Sequence, residues 1–385
     1  MSINTLVCIA NKLDTNDIFN ICIMSKYFYE HVYVNNEFWR KYIITLYPNF
    51  SSNQDKLEYW FNLVKQLFHI QQYPKNEQFI KSIRMNYVEL IKLFLSDINF
   101  DPSANNNYAI IYASYHGHIE IIKLLLNHPR VDPSADDNQA IKLASKNGHI
   151  EVVKLLLNDP RVDPRVDPSV YAYDTCAFIK ACVEGHIEIV KILLNDTRVD
   201  PSVNNNCAIR YASKNGHIEI VKLLLNDRHV DPSVDGNLAI MYASLNGHIE
   251  IVKLLLNDRR VDPSAGDNTA IRYASRNVYI EIVKLLLNDR RVDPSADDNI
   301  AIRYASKKGH IEIVKLLLND RRVDPSANDN YALKKACEYG HIEIVKLLLN
   351  NPRVDPSADN NYAIKIARQK GYTEIVKLLL NHSNY

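Results

Sequence analysis

The residues best equipped for chemistry are seven histidines, each preceded by glycine: His118, His149, His186, His217, His248, His310 and His341. Every one sits in a Gly-His-Ile-Glu context, and an imidazole near a carboxylate suits general-base work. The pattern argues against that use. A base is needed once, whereas this one recurs along the whole chain, and the equivalent places elsewhere hold Tyr87, Tyr279 and Tyr372. The rings read instead as hydrogen-bonding groups that cross the loops between neighbouring copies. The six cysteines are Cys8, Cys22, Cys176, Cys182, Cys207 and Cys337. None forms a C-x-x-C pair, and no His or Cys pair has zinc-ligand spacing. Cys176 and Cys182, six apart, fall on different faces of a helix. The thiols read as reduced packing groups in a cytosol-like compartment. No Gly-rich phosphate loop, nucleophile elbow or H-E-x-x-H run occurs. No enzyme, metal or cofactor is expected.

The elements that hold these residues come from a repeat. Asp-Pro-Ser recurs at Asp101, Asp132, Asp167, Asp200, Asp231, Asp262, Asp293, Asp324 and Asp355, mostly in steps of 31 residues. A weaker copy begins at Asn76, which makes ten copies with the first degenerate. Arg161-Val-Asp-Pro is repeated at once as Arg165-Val-Asp-Pro, so an insertion falls near 163–175 and the step from Asn138 to Thr175 is 37 residues. Each copy reads as two short helices. The first runs near Ala140–Lys146 and stops at Gly148, where a left-handed residue suits glycine. Asn138 stands before it and recurs at 107, 206, 237, 268, 299, 330 and 361; asparagine favours N-cap positions. The second helix runs near Ile150–Asn158 and is apolar nearly all round, so neighbouring copies must bury it. Glu151 and Lys154 form an i,i+3 pair at its start.

Composition agrees with a folded, non-catalytic array. Of 385 residues, 46 are Lys or Arg and 45 are Asp or Glu, which leaves a net charge of +1. That balance gives no drive toward nucleic acid or an anionic membrane. Hydrophobic residues reach 46%, too many for a disordered chain. No apolar run approaches a membrane span of about 18 residues. The run Ile3–Ala10 lacks a basic flank, so no secretory signal is expected.

The second-helix wording Gly-His-x-Glu-[Ile/Val]-Val-Lys-Leu-Leu-Leu, preceded by Gln139-Ala-Ile-Lys-Leu-Ala, resembles the ankyrin repeat. The 31-residue period is two short of the family's usual length of about 33. The missing residues fall in the finger between helix pairs, so the departure lies in the β-hairpin fingers and not in the stack. The resemblance covers residues 76–385 and implies an all-α fold, an ankyrin-type helical solenoid. The wording Arg-Val-Asp-Pro-Ser-Ala also resembles repeat proteins of giant DNA viruses that infect amoebae.

Residues 1–50 lack the period and carry three short amphipathic helices. Their layout resembles the F-box, through Leu6, Ile9, Leu13 and Asp14, then Asp17-Ile18, Met24-Ser25-Lys26 and Phe28, then Phe38-Trp39-Arg40. The family's opening Leu-Pro falls at Met1-Ser2, so its proline is absent here. The resemblance implies an F-box-like module over 1–50 that docks on the adaptor Skp1 through Leu6, Ile9, Leu13, Ile18, Met24, Phe28, Phe38 and Trp39. Residues 51–75 read as a linker or coupling helix.

Two rows vary or carry charge within the array. Lys146, Lys214, Arg276 and Lys307 stand just before the glycine, at positions that face the concave, partner-binding side in ankyrin arrays. Arg210, Arg272 and Arg303 stand four after the recurrent Asn, beside Tyr211, Tyr273 and Tyr304. Arg and Tyr both serve as interface anchors. The alternative is local: these cations satisfy backbone and Asp groups of the fingers. The acidic fingers argue against nucleic acid as the partner. The expectation is a cytoplasmic, monomeric adaptor without membrane contact, in the host cytoplasm if the source is viral. Its F-box-like part would hold Skp1 and its array a target for ubiquitination. The competing expectation is a scaffold that binds a host protein with no ubiquitin-ligase link.

Overall fold

The computed structural model describes residues 36–50, 57–70, 72–165 and 176–382. Among them are 22 helices and no strand. The chain forms two compact units. Of the described residues, one comprises those up to 165 with 176–181 and 191–199, and the other comprises 182–190 and 200–382. The helix pair Ala177–Glu184 and Ile187–Leu194 is shared between them. Within each unit the same helix pair recurs, with first helices packed side by side and second helices behind them.

Burial follows the sequence pattern. Ala140, Ile141 and Ala144 of the first helix and Val152, Val153 and Leu156 of the second are at most 1% exposed. Their counterparts in the other copies are buried alike, for example Ala239, Ile240, Ala243, Ile251, Val252 and Leu255. Glu151 pairs with Lys154 at 2.7 Å on the solvent side, as the spacing implies. One residue per copy breaks the apolar rule. Ser114, Ser145, Ser213, Ser244, Ser275 and Ser306 are fully buried, and their hydroxyls have no hydrogen-bond partner. Cys182 and Cys337 take that place in two copies. In the last copy it is Arg368, which is exposed.

The connection between copies is not a hairpin. In eight copies the first helix is preceded by three successive left-handed residues, such as Asp136, Asp137 and Asn138 at φ 54°, 54° and 61°. The corresponding triplets are Asn105–Asn107, Asn204–Asn206, Asp235–Asn237, Gly266–Asn268, Asp297–Asn299, Asn328–Asn330 and Asp359–Asn361. Every member is Asn, Asp or Gly, the residues for which a left-handed backbone costs least. The turn closes by donation from the Asn138 N–H to the Ser134 carbonyl at 2.8 Å. Upstream, the Asp132 carboxylate accepts both the N–H and the hydroxyl of Ser134, at 2.9 and 2.6 Å. This compact turn occupies the place of a longer finger, which accounts for the short period.

The corner between the two helices needs glycine for two reasons. Gly117 lies at φ +74°, and a Cβ there would stand 2.5 Å from Nδ1 of His149 in the next copy. Gly247 faces Tyr279 in the same way, at 2.6 Å. Two copies depart from glycine at the corner: Asn86, at φ +55°, is a residue that accepts this backbone, whereas Val278 is held at φ +67°. A β-branched residue in this region is strained by about 1–2 kcal/mol.

Ahead of the first copy, the helix Leu57–Ile70 packs against Asn36–Leu46 and against Lys75–Arg84 and Val88–Leu95. Aromatic edges join them: Phe50 meets Trp60 at 6.3 Å, and Tyr47 meets Phe94 at 6.3 Å. The Tyr59 hydroxyl donates to Glu89 at 2.5 Å.

Replacing Val278 by glycine relieves the corner strain. Val278→Gly is expected to raise unfolding free energy by about 1 kcal/mol, measured by urea denaturation of the full chain. An unchanged or lowered stability would count against a strained corner.

Candidate functional site

The loop wording Arg-Val-Asp-Pro-Ser is the joint between copies. In Arg161-Val162-Asp163, each residue engages the preceding copy. Arg161 donates to the Val131 carbonyl at 2.7 Å and to the Leu126 carbonyl at 3.2 Å. Its guanidinium is braced by Asp159 at 2.6 Å. Val162 is 1% exposed. The Asp163 N–H donates to Oδ1 of Asn138 at 2.8 Å. The same Asn bond recurs at Asn107, Asn206, Asn237, Asn268, Asn299 and Asn330. The Arg bond recurs at Arg130, Arg198, Arg260, Arg291, Arg322 and Arg353.

This corrects the N-cap reading of the recurrent asparagine. It stands directly before its helix, but its side chain does not cap it. Asn138 lies inside the left-handed turn and spends its carbonyl oxygen on the next copy. The sequence signal for this joint was the sameness of Arg, Val and Asp between copies beside freely varying neighbours.

The histidines form a third bond between copies. Nε2 of His149, His217, His248, His310 and His341 lies 2.8–3.1 Å from a carbonyl of the preceding copy. A carbonyl only accepts, so the ring nitrogen there carries the proton. Burial pushes the His310 pKa down, against a raising effect of its carbonyl bond. Burial also lowers that of His118, whose Nε2 has no partner. The rings are structural, as their repetition implies.

The two candidate rows have different fates. Arg210 is 7% exposed, and it pairs with Asp235 of the next turn at 2.5 Å and donates to the Asn204 carbonyl at 2.9 Å. Arg272 lies 3.2 Å from Asp297. Arg303 donates to the carbonyls of Asp297 and Asp298 and lies 4.6 Å from the Tyr331 ring. These cations serve the turns, as the local alternative holds. Lys334, at the same position of its copy, pairs with Asp359 at 2.7 Å. The row before the glycine is more open. Lys146, Lys214 and Arg276 are exposed and Lys307 is half-buried. Lys214 stands 5.8 and 5.7 Å from the rings of Tyr211 and Tyr242, Arg276 5.8 Å from Tyr304, and Lys307 5.9 Å from Tyr339. Tyr211, Tyr273 and Tyr304 are half-buried. The result is a surface of cations alternating with aromatic rings across consecutive first helices.

At the N-terminal end, Leu6, Ile9, Leu13, Ile18, Met24 and Phe28 lie outside the described residues. Phe38 and Trp39 are 1% and 0% exposed and pack edge to face at 4.9 Å, so they are core residues and offer no docking surface. Cys176, Cys182, Cys207 and Cys337 are buried. Burial pushes the Cys176 thiol up to about 11 and the Cys337 thiol up to about 12, which leaves both protonated and unreactive near neutrality. Among the described residues, no group of His, Cys, Asp and Glu could hold a metal ion. None of their helices is long and apolar enough to cross a membrane.

A family model described as ankyrin repeats (3 copies) matches residues 79–168, 164–234, 226–298 and 302–385. The match leaves out residues 1–78. A search of curated proteins finds no match.

The joints carry an acid dependence. Hydrogen bonds from Arg161, Arg260, Arg291 and Arg322 hold Asp159, Asp258, Asp289 and Asp320 below the usual carboxylate range. A lowered folded-state pKa stabilises above the unfolded value and loses that contribution as pH falls through the folded one. The thermal midpoint is therefore expected to drop steeply below about pH 4, with a shallower drop in the variant D258N/D289N/D320N. Equal acid profiles in the two proteins would contradict the joint's electrostatics.

Proposed function

Because the chain belongs to the ankyrin-repeat family, whose repeats are non-catalytic protein-interaction modules, we propose that it is an adaptor that holds a target protein on its array. The observation that carries this is the contrast within each copy. The residues of the joint are nearly the same from copy to copy, with His229 as a departure, whereas the exposed and half-buried residues just before the helix corner change: Tyr115-His116, Lys146-Asn147, Lys214-Asn215, Leu245-Asn246, Arg276-Asn277 and Lys307-Lys308. A scaffold fixed by repetition and a face that varies is what selective binding requires. Lys214, Arg276 and Lys307 with their aromatic neighbours form the contact, and Arg210, Arg272 and Arg303 stiffen the turns beside it.

The F-box-like spacing over residues 1–50 extends the reading to ubiquitin ligation in the cytoplasm. Leu6, Ile9, Leu13, Ile18, Met24 and Phe28 would meet Skp1, with Phe38 and Trp39 holding the core of the module. The protein would then bring its target to a separate enzyme. The missing Leu-Pro at Met1-Ser2 favours the second reading, an ankyrin scaffold that binds a host protein without a ligase link.

Purified chain mixed with Skp1 separates the two. A co-eluting complex in size-exclusion chromatography, lost in Leu13→Ala with helical content unchanged by circular dichroism, is the expected result. No complex between two folded proteins refutes the ligase reading and leaves the scaffold. For the array, K214A/R276A/K307A is expected to weaken capture of a co-purifying target several-fold without shifting the melting midpoint, because exposed side chains contribute little to folding.

A further inference from the structure

We propose that Arg228, Arg259, Arg290 and Arg321 form a second binding surface, for an extended acidic peptide segment with a carboxylate about every third residue. This surface stands apart from the row on the first helices and does not depend on the Skp1 reading. All four residues lie in one compact unit, at the end of the second helix of four consecutive copies.

Three of the four belong to arginine doublets in which the two members behave differently. The second member is fixed: Arg260, Arg291 and Arg322 each pair with the Asp two residues before at 2.6 Å. Each also reaches a carbonyl of the preceding copy at 2.6–2.7 Å. The first member, Arg259, Arg290 or Arg321, is exposed and pairs with no carboxylate among the described residues. In the remaining copy His229 takes the second place, 3.1 Å from Asp227, and Arg228 is exposed beside it. The fold does not require a cation at the first place. Pro129, Pro160 and Pro352 occupy it in other copies, and Thr197 in another. An arginine there is therefore an exposed charge that the stack does not require, although Arg228 also donates from Nε to Nε2 of His229 at 3.3 Å; it is repeated in four neighbouring copies and absent from the copies on either side.

The spacing selects the partner. Stacked helices lie about 8–10 Å apart, so the four guanidinium groups form a ladder with that step. An extended peptide advances about 3.3 Å per residue, which brings every third side chain opposite an arginine. Arginine matches a carboxylate with two parallel hydrogen bonds. Nucleic acid fits less well. The loops Asn257–Asp262 and Asn288–Asp293 carry no aromatic side chain for base stacking. Asp262 and Asp293 in the same loops, and Asp324 in the next, cancel the long-range field on which phosphate binding depends. Short-range pairing survives that cancellation.

The full-length chain, at low ionic strength, is titrated into three fluorescent probes. These are a short peptide with Asp at every third position, an isomer with the same residues but its Asp grouped together, and a single-stranded oligonucleotide. The spaced peptide is expected to bind most tightly, and added salt to weaken it. R228A/R259A/R290A/R321A is expected to lose about tenfold or more of that affinity, the sum of several exposed ion pairs, with the melting midpoint unchanged. Equal binding by this variant, equal binding of the two peptides, or no binding of either overturns the proposal. Tighter binding of the oligonucleotide through the same arginines overturns it in favour of nucleic acid.

Discussion

No helix pair in this chain can bury its own leucines, and everything else in the structure answers to that. Val152, Val153 and Leu156 are withdrawn from water only because a neighbouring copy lies against them. Apolar contact is not directional, so it brings copies together without fixing how they meet. The directional part is polar. An arginine bond, an asparagine bond and a histidine bond each run from one copy to its neighbour, at separations of 30, 25 and 34 residues. Three bonds at three points of one interface leave a single way to stack.

The glycine and the left-handed turn follow from the same demand. A ring reaches the preceding copy most easily where nothing projects from the corner, and glycine leaves that space; at the Val278 corner the His310 bond to Arg276 still forms, at 3.1 Å. An asparagine can point its carbonyl at the next copy only if the backbone before the helix turns sharply. Three left-handed residues achieve this within one turn, and Asn, Asp and Gly are the residues that accept it. The buried serines show where the scheme costs stability, since an unpaired hydroxyl in the core is unfavourable by about 1–3 kcal/mol. Cys182 and Cys337 occupy the same place without a hydroxyl.

Much of this was legible in the residues. The period, the two helices, the corner glycine and the structural use of histidine all rest on local chemistry, which spacing records directly. The shortened finger was legible as a missing length, but its form was not, because successive left-handed residues are rare enough that no pattern announces them. The recurrent Asn138 was misread as a cap because its partner, the N–H of Asp163, lies in the next copy. Arg210 and Lys214 illustrate the same limit. Both are cations on the same helix of one copy, yet one is buried against Asp235 and the other stands over aromatic rings. Which of two such residues is free depends on what the next copy brings, and a sequence read one copy at a time does not contain that.

All three kinds of joint connect a copy only to its immediate neighbour. Each copy thus carries one half of a fastener on either side, and the halves are nearly identical along the chain. A copy removed by recombination leaves two matching halves facing each other, and a copy inserted finds both its counterparts waiting. The number of repeats is accordingly a variable that inheritance can change in one event, without any residue having to be altered to accommodate it. Reach along a partner can be lengthened or shortened by whole units, while the chemistry of each unit drifts separately at its exposed positions.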